Sequence, residues 1–278
     1  MIRIFVDSAS DYTMDDLKAH GLELFPISIT IGDDSYQDGV NLQRDQLYEK
    51  LAAGCTFPTT SQPSIQFFLD AFESAKEQGD ELIYLALSSA LSGTYQSACT
   101  AKEMVGYDGV YIIDTLSATY TIKIMADHAA ALRRQGHSAA EIVTAIEALK
   151  SRVKVIAVPD SLEYLCRGGR VNRATAAIGT LANIKPIITV TPDGRIGVPA
   201  KCIGIGKSIA YLIKHLQDYP IDTNFPLYPI YSYGTKNCEK AEEKLAQAGI
   251  AMEPRMQIGP TIGTHIGPEA LGIVYVQK

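Results

Sequence analysis

Residues 85–98, LALSSALSGTYQSA, crowd four serines, a threonine and a glycine between an apolar run and a segment of helical composition. Three uses fit such a junction: a nucleophilic serine, a cradle for an anion, or an ordinary loop. A helix N-terminus has free N–H groups and a partial positive charge, so Ser92, Gly93 and Thr94 are placed to hold an anion. Capping alone accounts for one such serine. The set Ser88, Ser89, Ser92, Thr94 and Ser97 exceeds what capping needs. A second cluster, PTTSQPS (58–64), carries Thr60, Ser61 and Ser64 before another helical run. By itself it reads as turn and cap; two hydroxyl-rich helix entries after neighbouring strands of one sheet, if they converge, add weight to an anion site. In LCRGGRVNR (165–173) two glycines bring Arg170 out of a helix end, either as a carboxylate or phosphate partner or as a solvated residue at a C-cap. In GPTIGTHIGPEALG (259–272) His265 stands among glycines on an expected loop, as a ligand contact, a proton carrier or a structural residue. DSASD (7–11) is a further polar strand end, where Asp11 serves equally as the cap of the next helix.

These residues need elements to position them. IRIFV (2–6), LELFPISITI (22–31), ELIYLAL (81–87) and GVYIID (109–114) read as strands. Between them PSIQFFLDAFESAKEQG (63–79) puts Ile65, Phe68, Leu69 and Phe72 on one helical face, with Pro63 and Gly79 at its ends. Helices are also expected over 93–105 and 118–136. Alternating strands and helices imply a mostly parallel sheet covered by helices. From residue 151 the pattern changes. VKVIAVP (153–159) is a strand, SLEYLCRGG (161–169) a short helix, and VNRATAAIGTLAN (171–183) another. KPIITVTPDGRIGVPAK (185–201) is a hairpin around PDG. Helices follow at 207–219 and 235–249, then two apolar runs, MEPRMQI and LGIVYVQK. The expectation is an α/β chain of two domains, 1–150 and 151–278, the second with a mixed or antiparallel sheet.

The 278 residues are 46% hydrophobic and 20% charged, enough for a substantial core. The net charge of −6 comes without a basic block, which argues against nucleic acid. No apolar run reaches membrane-spanning length, and MIRIFVDSAS lacks the pattern of a signal peptide. Five scattered cysteines without C-x-x-C spacing argue for reduced thiols in a cytoplasm rather than disulfides or zinc. No G-x-S-x-G elbow surrounds a serine. GIGKS (204–208) falls short of a phosphate loop because Lys201 stands where Gly is required.

Taken in order, DSASD, TSQPS (60–64), SSALSGTYQSA (88–98), YLCRGGR (164–170), KPI (185–187) and GTHIGPEALG (263–272) resemble the DegV family of bacterial proteins, as a single unit over 2–277. The resemblance implies two α/β domains with a long-chain fatty acid such as palmitate, the ligand, held between them. It implies a carrier in lipid transport or fatty-acid metabolism, without catalytic residues, metal or cofactor of its own. A separate ATP-dependent fatty-acid kinase would phosphorylate the carboxylate of the held acid. On this resemblance Thr60 and Ser92 hold the carboxylate, with Ser61, Gly93 and Thr94 beside them. Arg170 and His265 lie near the head group and are implicated in phosphorylation. The family's last loop usually reads GPG, whereas here Glu269 follows Pro268. The alternatives are a serine acyl hydrolase using Ser92 and His265, and a module for sugars or phosphorylated ligands.

Physics constrains the first reading. A sixteen-carbon acid buries roughly 15 apolar carbons at ~0.8 kcal/mol each, on the order of 12 kcal/mol before association costs. Its carboxylate still needs partners, because an unpaired buried charge is far more costly than a neutral polar group. The small residues Ala174, Ala177 and Gly179, beside Ile178 and Leu181, suit either a lipid slot or helix packing.

Overall fold

The computed structural model describes residues 1–172 and 183–278. The expected helix over 171–183, and with it Ala174, Ala177, Ile178, Gly179 and Leu181, therefore lies almost wholly outside the described residues.

The first half builds a parallel sheet from β1 (Ile2–Asp7), β2 (Glu23–Phe25), β6 (Glu81–Ala86) and β7 (Val110–Asp114), in the order β2-β1-β6-β7. Helices α3 (Ile65–Gln78) and α4 (Thr94–Val105) cover one face with Phe68, Phe72, Ala98 and Ala101. Helices α5 (Tyr120–Arg134) and α6 (Ala139–Lys150) cover the other. The second half builds a six-stranded sheet from β8 (Val153–Val158), β9 (Ile184–Val190), β10 (Ile196–Ile203), β11 (Tyr228–Tyr231), β12 (Met256–Gln257) and β13 (Leu271–Val276), ordered β10-β9-β8-β13-β11-β12. All its pairs are antiparallel except β11 with β12. Its outer face is covered by α8 (Gly204–Asp218) and α9 (Lys236–Gln247).

Helix α5 is shared between the sheets, touching β1 and β6 on one side and β8 and β13 on the other. That is why it is buried from Tyr120 to Ala126 without the polar stripe of a surface helix. Even Lys123 is buried, its ammonium 3.9 Å from the centre of the Tyr12 ring and 3.4 Å from Asp127 Oδ2.

The apolar run 22–31 is not one strand. Pro26 has no N–H to give a ladder, and the chain leaves the parallel sheet there. β3 (Ser28–Ile31) instead joins β4 (Asp34–Gln37) and β5 (Thr59–Ser61) in a separate antiparallel sheet, with α2 (Arg44–Ala52) packed on it. Nor is the GPTIGTHIGP segment a loop. It forms α10 (Pro260–Ile266), with Pro260 at the start of the helix, where its missing N–H is no loss. Helix α6 carries a signal legible in the sequence, the capping box of Ser138 and Glu141.

The DSASD motif joins the two halves. Thr13, not Asp11, caps α1 (Met14–His20). Asp11 turns the other way and accepts from Gly259 N at 3.0 Å. Asp38 accepts from Thr261 N at 2.9 Å, and Ser8 Oγ lies 3.3 Å from Thr261 Oγ1. Asp7 accepts from Tyr84 Oη at 2.8 Å and Leu87 N at 2.7 Å. Burial pushes these carboxyls up, Asp7 and Asp38 to about 6 and Asp11 to about 7.

Two outcomes follow from this fold. An unfolded chain keeps its carboxyls near 3.8, so between about pH 4 and 7 the folded state holds more protons. Stability therefore rises as the pH falls from 8 to 6, and Asp38→Asn reduces that rise; thermal unfolding across pH measures both. Glu269 is exposed and held at φ 61°, the left-handed region that glycine occupies without strain. Glu269→Gly stabilises the protein by about 1 kcal/mol, a Tm increase of about 2–4 °C.

Candidate functional site

Between the parallel sheet, α5, the six-stranded sheet and α10 lies a cavity of about 340 Å³. That falls in the range of small-molecule sites. Its walls are mostly aliphatic: Leu87 and Ala118 from the first half, and Val155, Ala157, Ile188 and Ile230 from the second. Four threonines also line it, and in three of them the hydroxyl is engaged with the protein away from the cavity. Thr119 Oγ1 donates to Asp11, Thr189 Oγ1 donates to Val155 O at 2.8 Å, and Thr261 Oγ1 pairs with Ser8. They add no free hydroxyl to the wall.

At one end the chemistry changes. Thr60, Ser61, Gln62, Ser92, Gly93, Arg170 and His265 all line the cavity. The fold thus unites four stretches that lie far apart in sequence. Thr60 does not sit at a helix start, as the sequence pattern implied. It is in β5, paired with Ile29, while Ser64 is the cap of α3. Ser92 precedes α4, whose N-cap is Gly93 and which has no side-chain bond at its cap position. Ser92 Oγ accepts from Thr94 N at 3.3 Å and lies 2.8 Å from Thr94 Oγ1. Thr94 itself is fully buried and stands behind Ser92, outside the cavity lining. With Thr94 as donor, the Ser92 O–H is left for the cavity.

His265, in the last turn of α10, places Nε2 2.8 Å from Thr60 Oγ1. Its Nδ1 is buried without a hydrogen-bond partner. The ring packs on Gly168, where a Cβ would fall 2.2 Å from Nδ1. An N–H without an acceptor is costly to bury, so the proton belongs on Nε2 and points at Thr60. Thr60 then accepts from His265 and turns its own O–H to the cavity. Burial, aided by the Arg170 charge, pushes the imidazole down to about 3, so it stays neutral.

Arg170 Nε donates to Leu91 O at 3.0 Å, and its Nη1 donates to Gly168 O. The guanidinium ties the turn after α7 (Glu163–Arg167) to the serine-rich junction and borders the mouth. Gln62 was not anticipated. It lies across the start of α4, with Nε2 2.6 Å from Ser97 Oγ, and a Cβ on Gly93 would overlap its Oε1. Its place inside TSQPS was the available signal. Ser88 is spent elsewhere: its hydroxyl donates to Gly194 O at 2.8 Å, at the turn of the β9–β10 hairpin.

The arrangement offers hydroxyl and amide groups beside one arginine at one end of an apolar cavity. It does not form a Ser–His dyad, because Nε2 of His265 is engaged with Thr60 and a ring neutral to about pH 3 is a poor base. Among the described residues no His/Cys/Asp/Glu group is placed to hold a metal, and no helix is long and apolar enough to cross a membrane.

The family model that matches this chain is that of the DegV family, described as an uncharacterised protein, and the match spans residues 1–278. A DegV domain-containing protein of Caldanaerobacter subterraneus subsp. tengcongensis is 35% identical over 285 residues, covering 100% of this chain and 99% of that one. Among solved structures, a fatty-acid-binding DegV family protein from Streptococcus agalactiae superposes with a TM-score of 0.89 at 26% identity, covering 100% of this chain and 99% of the other. A DegV family protein from Thermus thermophilus, described for its fatty-acid binding, gives 0.88 at 28% identity with coverage of 100% and 99%. A two-layered site of serine, threonine and arginine over an aliphatic cavity, a fold shared from end to end and a family match across all 278 residues lead to one assignment: this chain belongs to the DegV family.

Proposed function

We propose that this protein binds a long-chain fatty acid such as palmitate, with its tail in the cavity and its carboxylate at Thr60 and Ser92. The observation that carries the reading is that one cavity combines mostly aliphatic walls with a cluster of hydroxyl, amide and guanidinium groups. Ser61, Gly93 and, through Ser92, Thr94 complete the polar end, with Arg170 and His265 at its border. Relatives of the same fold described as fatty-acid-binding support it. The protein acts as a carrier in the cytoplasm, without turnover of its own, and 1–150 and 151–278 are its two domains. It presents the carboxylate to a separate ATP-dependent fatty-acid kinase. In that reaction a carboxylate oxygen bonds to the γ-phosphorus of ATP, ADP leaves, and the acyl phosphate stays with the carrier. Uncharged donors suit this role, since they satisfy the carboxylate yet leave an oxygen more nucleophilic than a tight ion pair would.

Denaturing mass spectrometry of an organic extract of the purified protein tests the proposal. It should release a stoichiometric C16–C18 acid, and purified protein that neither carries nor takes up such acids would refute it. Ser92→Ala weakens palmitate binding by about 1 kcal/mol, or some five-fold, because one neutral hydrogen bond is lost while the tail remains buried; equilibrium binding measures this. The His265 imidazole shows no titration between pH 5 and 8 in side-chain NMR, in keeping with a neutral donor to Thr60.

A further inference from the structure

Strand register defines a row of residues across the inner face of the six-stranded sheet. Ile188 pairs with Ala157, Ala157 with Gly272, and Gly272 with Ile230. Directly opposed residues share a face, and Ile188, Ala157 and Ile230 all line the cavity. The row is bulky at its ends and small in its middle. A Cβ on Gly272 would fall 2.8 Å from Ala157 Cβ and 2.9 Å from Ile156 O, so position 272 accepts nothing larger. The next row on this face places Val155 opposite Val274. There Val155 still lines the cavity, while Val274 is fully buried in the core.

The two rows have an order. β8 leads from Val155 through Ala157 toward α7 and Arg170, and β13 leaves the end of α10, just after His265. Ala157 and Gly272 are therefore nearer the polar end than Val155 and Val274, by two residues, or about 7 Å of strand. A tail that leaves the polar end along β8 meets the small pair before it meets Val155.

We infer that Ala157, seated beside Gly272 between Ile188 and Ile230, is the residue that sets acyl-chain length. The pair forms a saddle over which the tail reaches the rear of the cavity. This rests on the fatty-acid reading above and adds the substrate class: acids long enough to cross the saddle. A branched side chain at 157 fills it and leaves only the front part for ligand, so long acids lose affinity and medium-chain acids keep theirs.

The test compares palmitate and decanoate binding to wild type, Ala157→Val and Ala157→Leu, with thermal unfolding recorded for each. Each methylene kept out of the cavity lowers affinity about four-fold. Ala157→Leu, excluding three or more, binds palmitate at least about 50-fold more weakly than wild type. Its decanoate affinity stays within about three-fold. Ala157→Val gives the same pattern at smaller amplitude and decides the matter if the leucine variant does not fold. Palmitate affinity unchanged in the variants, or both acids weakened equally, overturns the assignment of length selection to Ala157. Wild type binding neither acid overturns the fatty-acid reading itself, a result visible before any variant is made.

Discussion

The site depends on the grip of two buried carboxylates on the start of one short helix. Asp11 and Asp38 accept the N–H groups of Gly259 and Thr261, and so tie the first half of the chain to a helix that lines the site. Carboxylates are costly to bury, and these are tolerated because each accepts hydrogen bonds and because Arg44 lies beside them. What they fix is α10, and α10 carries His265, Thr261, Ile262 and Ile266 into the cavity wall. Asp11, after β1, and Asp38, after β4, thus act on the site at a distance. Their side chains stay out of the cavity while they hold in place the helix whose His265 orients Thr60.

Around that fixed helix the cavity separates two kinds of chemistry. Its aliphatic walls come from two sheets that share α5, and the hydroxyls of Thr119, Thr189 and Thr261 are turned into the protein. Burial strength scales with apolar area and lacks direction, so the walls supply affinity. Orientation comes from the polar end, where a neutral imidazole sets the direction of one hydroxyl and a buried threonine supports the other. Hydrogen bonds contribute little net free energy but are costly to leave unmade. That asymmetry makes a few donors sufficient to orient an amphipathic ligand.

Much of this was legible in the residues. Alternation of strand and helix patterns marked the parallel sheet, PDG marked the hairpin of β9 and β10, and the order of the motifs marked the family. Thr60, Ser92, Arg170 and His265 could each be singled out by type and setting, and all four line one cavity. Elsewhere local pattern misled. The run 22–31 is rich in apolar residues throughout, and the proline inside it, read as a break between two sheets, separates β2 from β3. The glycines around His265 read as a loop, yet packing against α2, β3, β5 and α7 makes that segment a helix, since tertiary contacts override weak local propensity.

The sequence by itself determined the periodicities, the caps and the kinds of chemistry available, because these depend on neighbours within a few residues. Only the tertiary structure decided which hydroxyl meets which partner. Thr60 pairs with His265 across more than two hundred residues, Thr94 stands behind Ser92, and Asp11 reaches Gly259 rather than the helix next to it. A side chain's own composition carries no record of such distances. They arise when two sheets close on a shared helix and the polar groups trapped between them take the partners that remain.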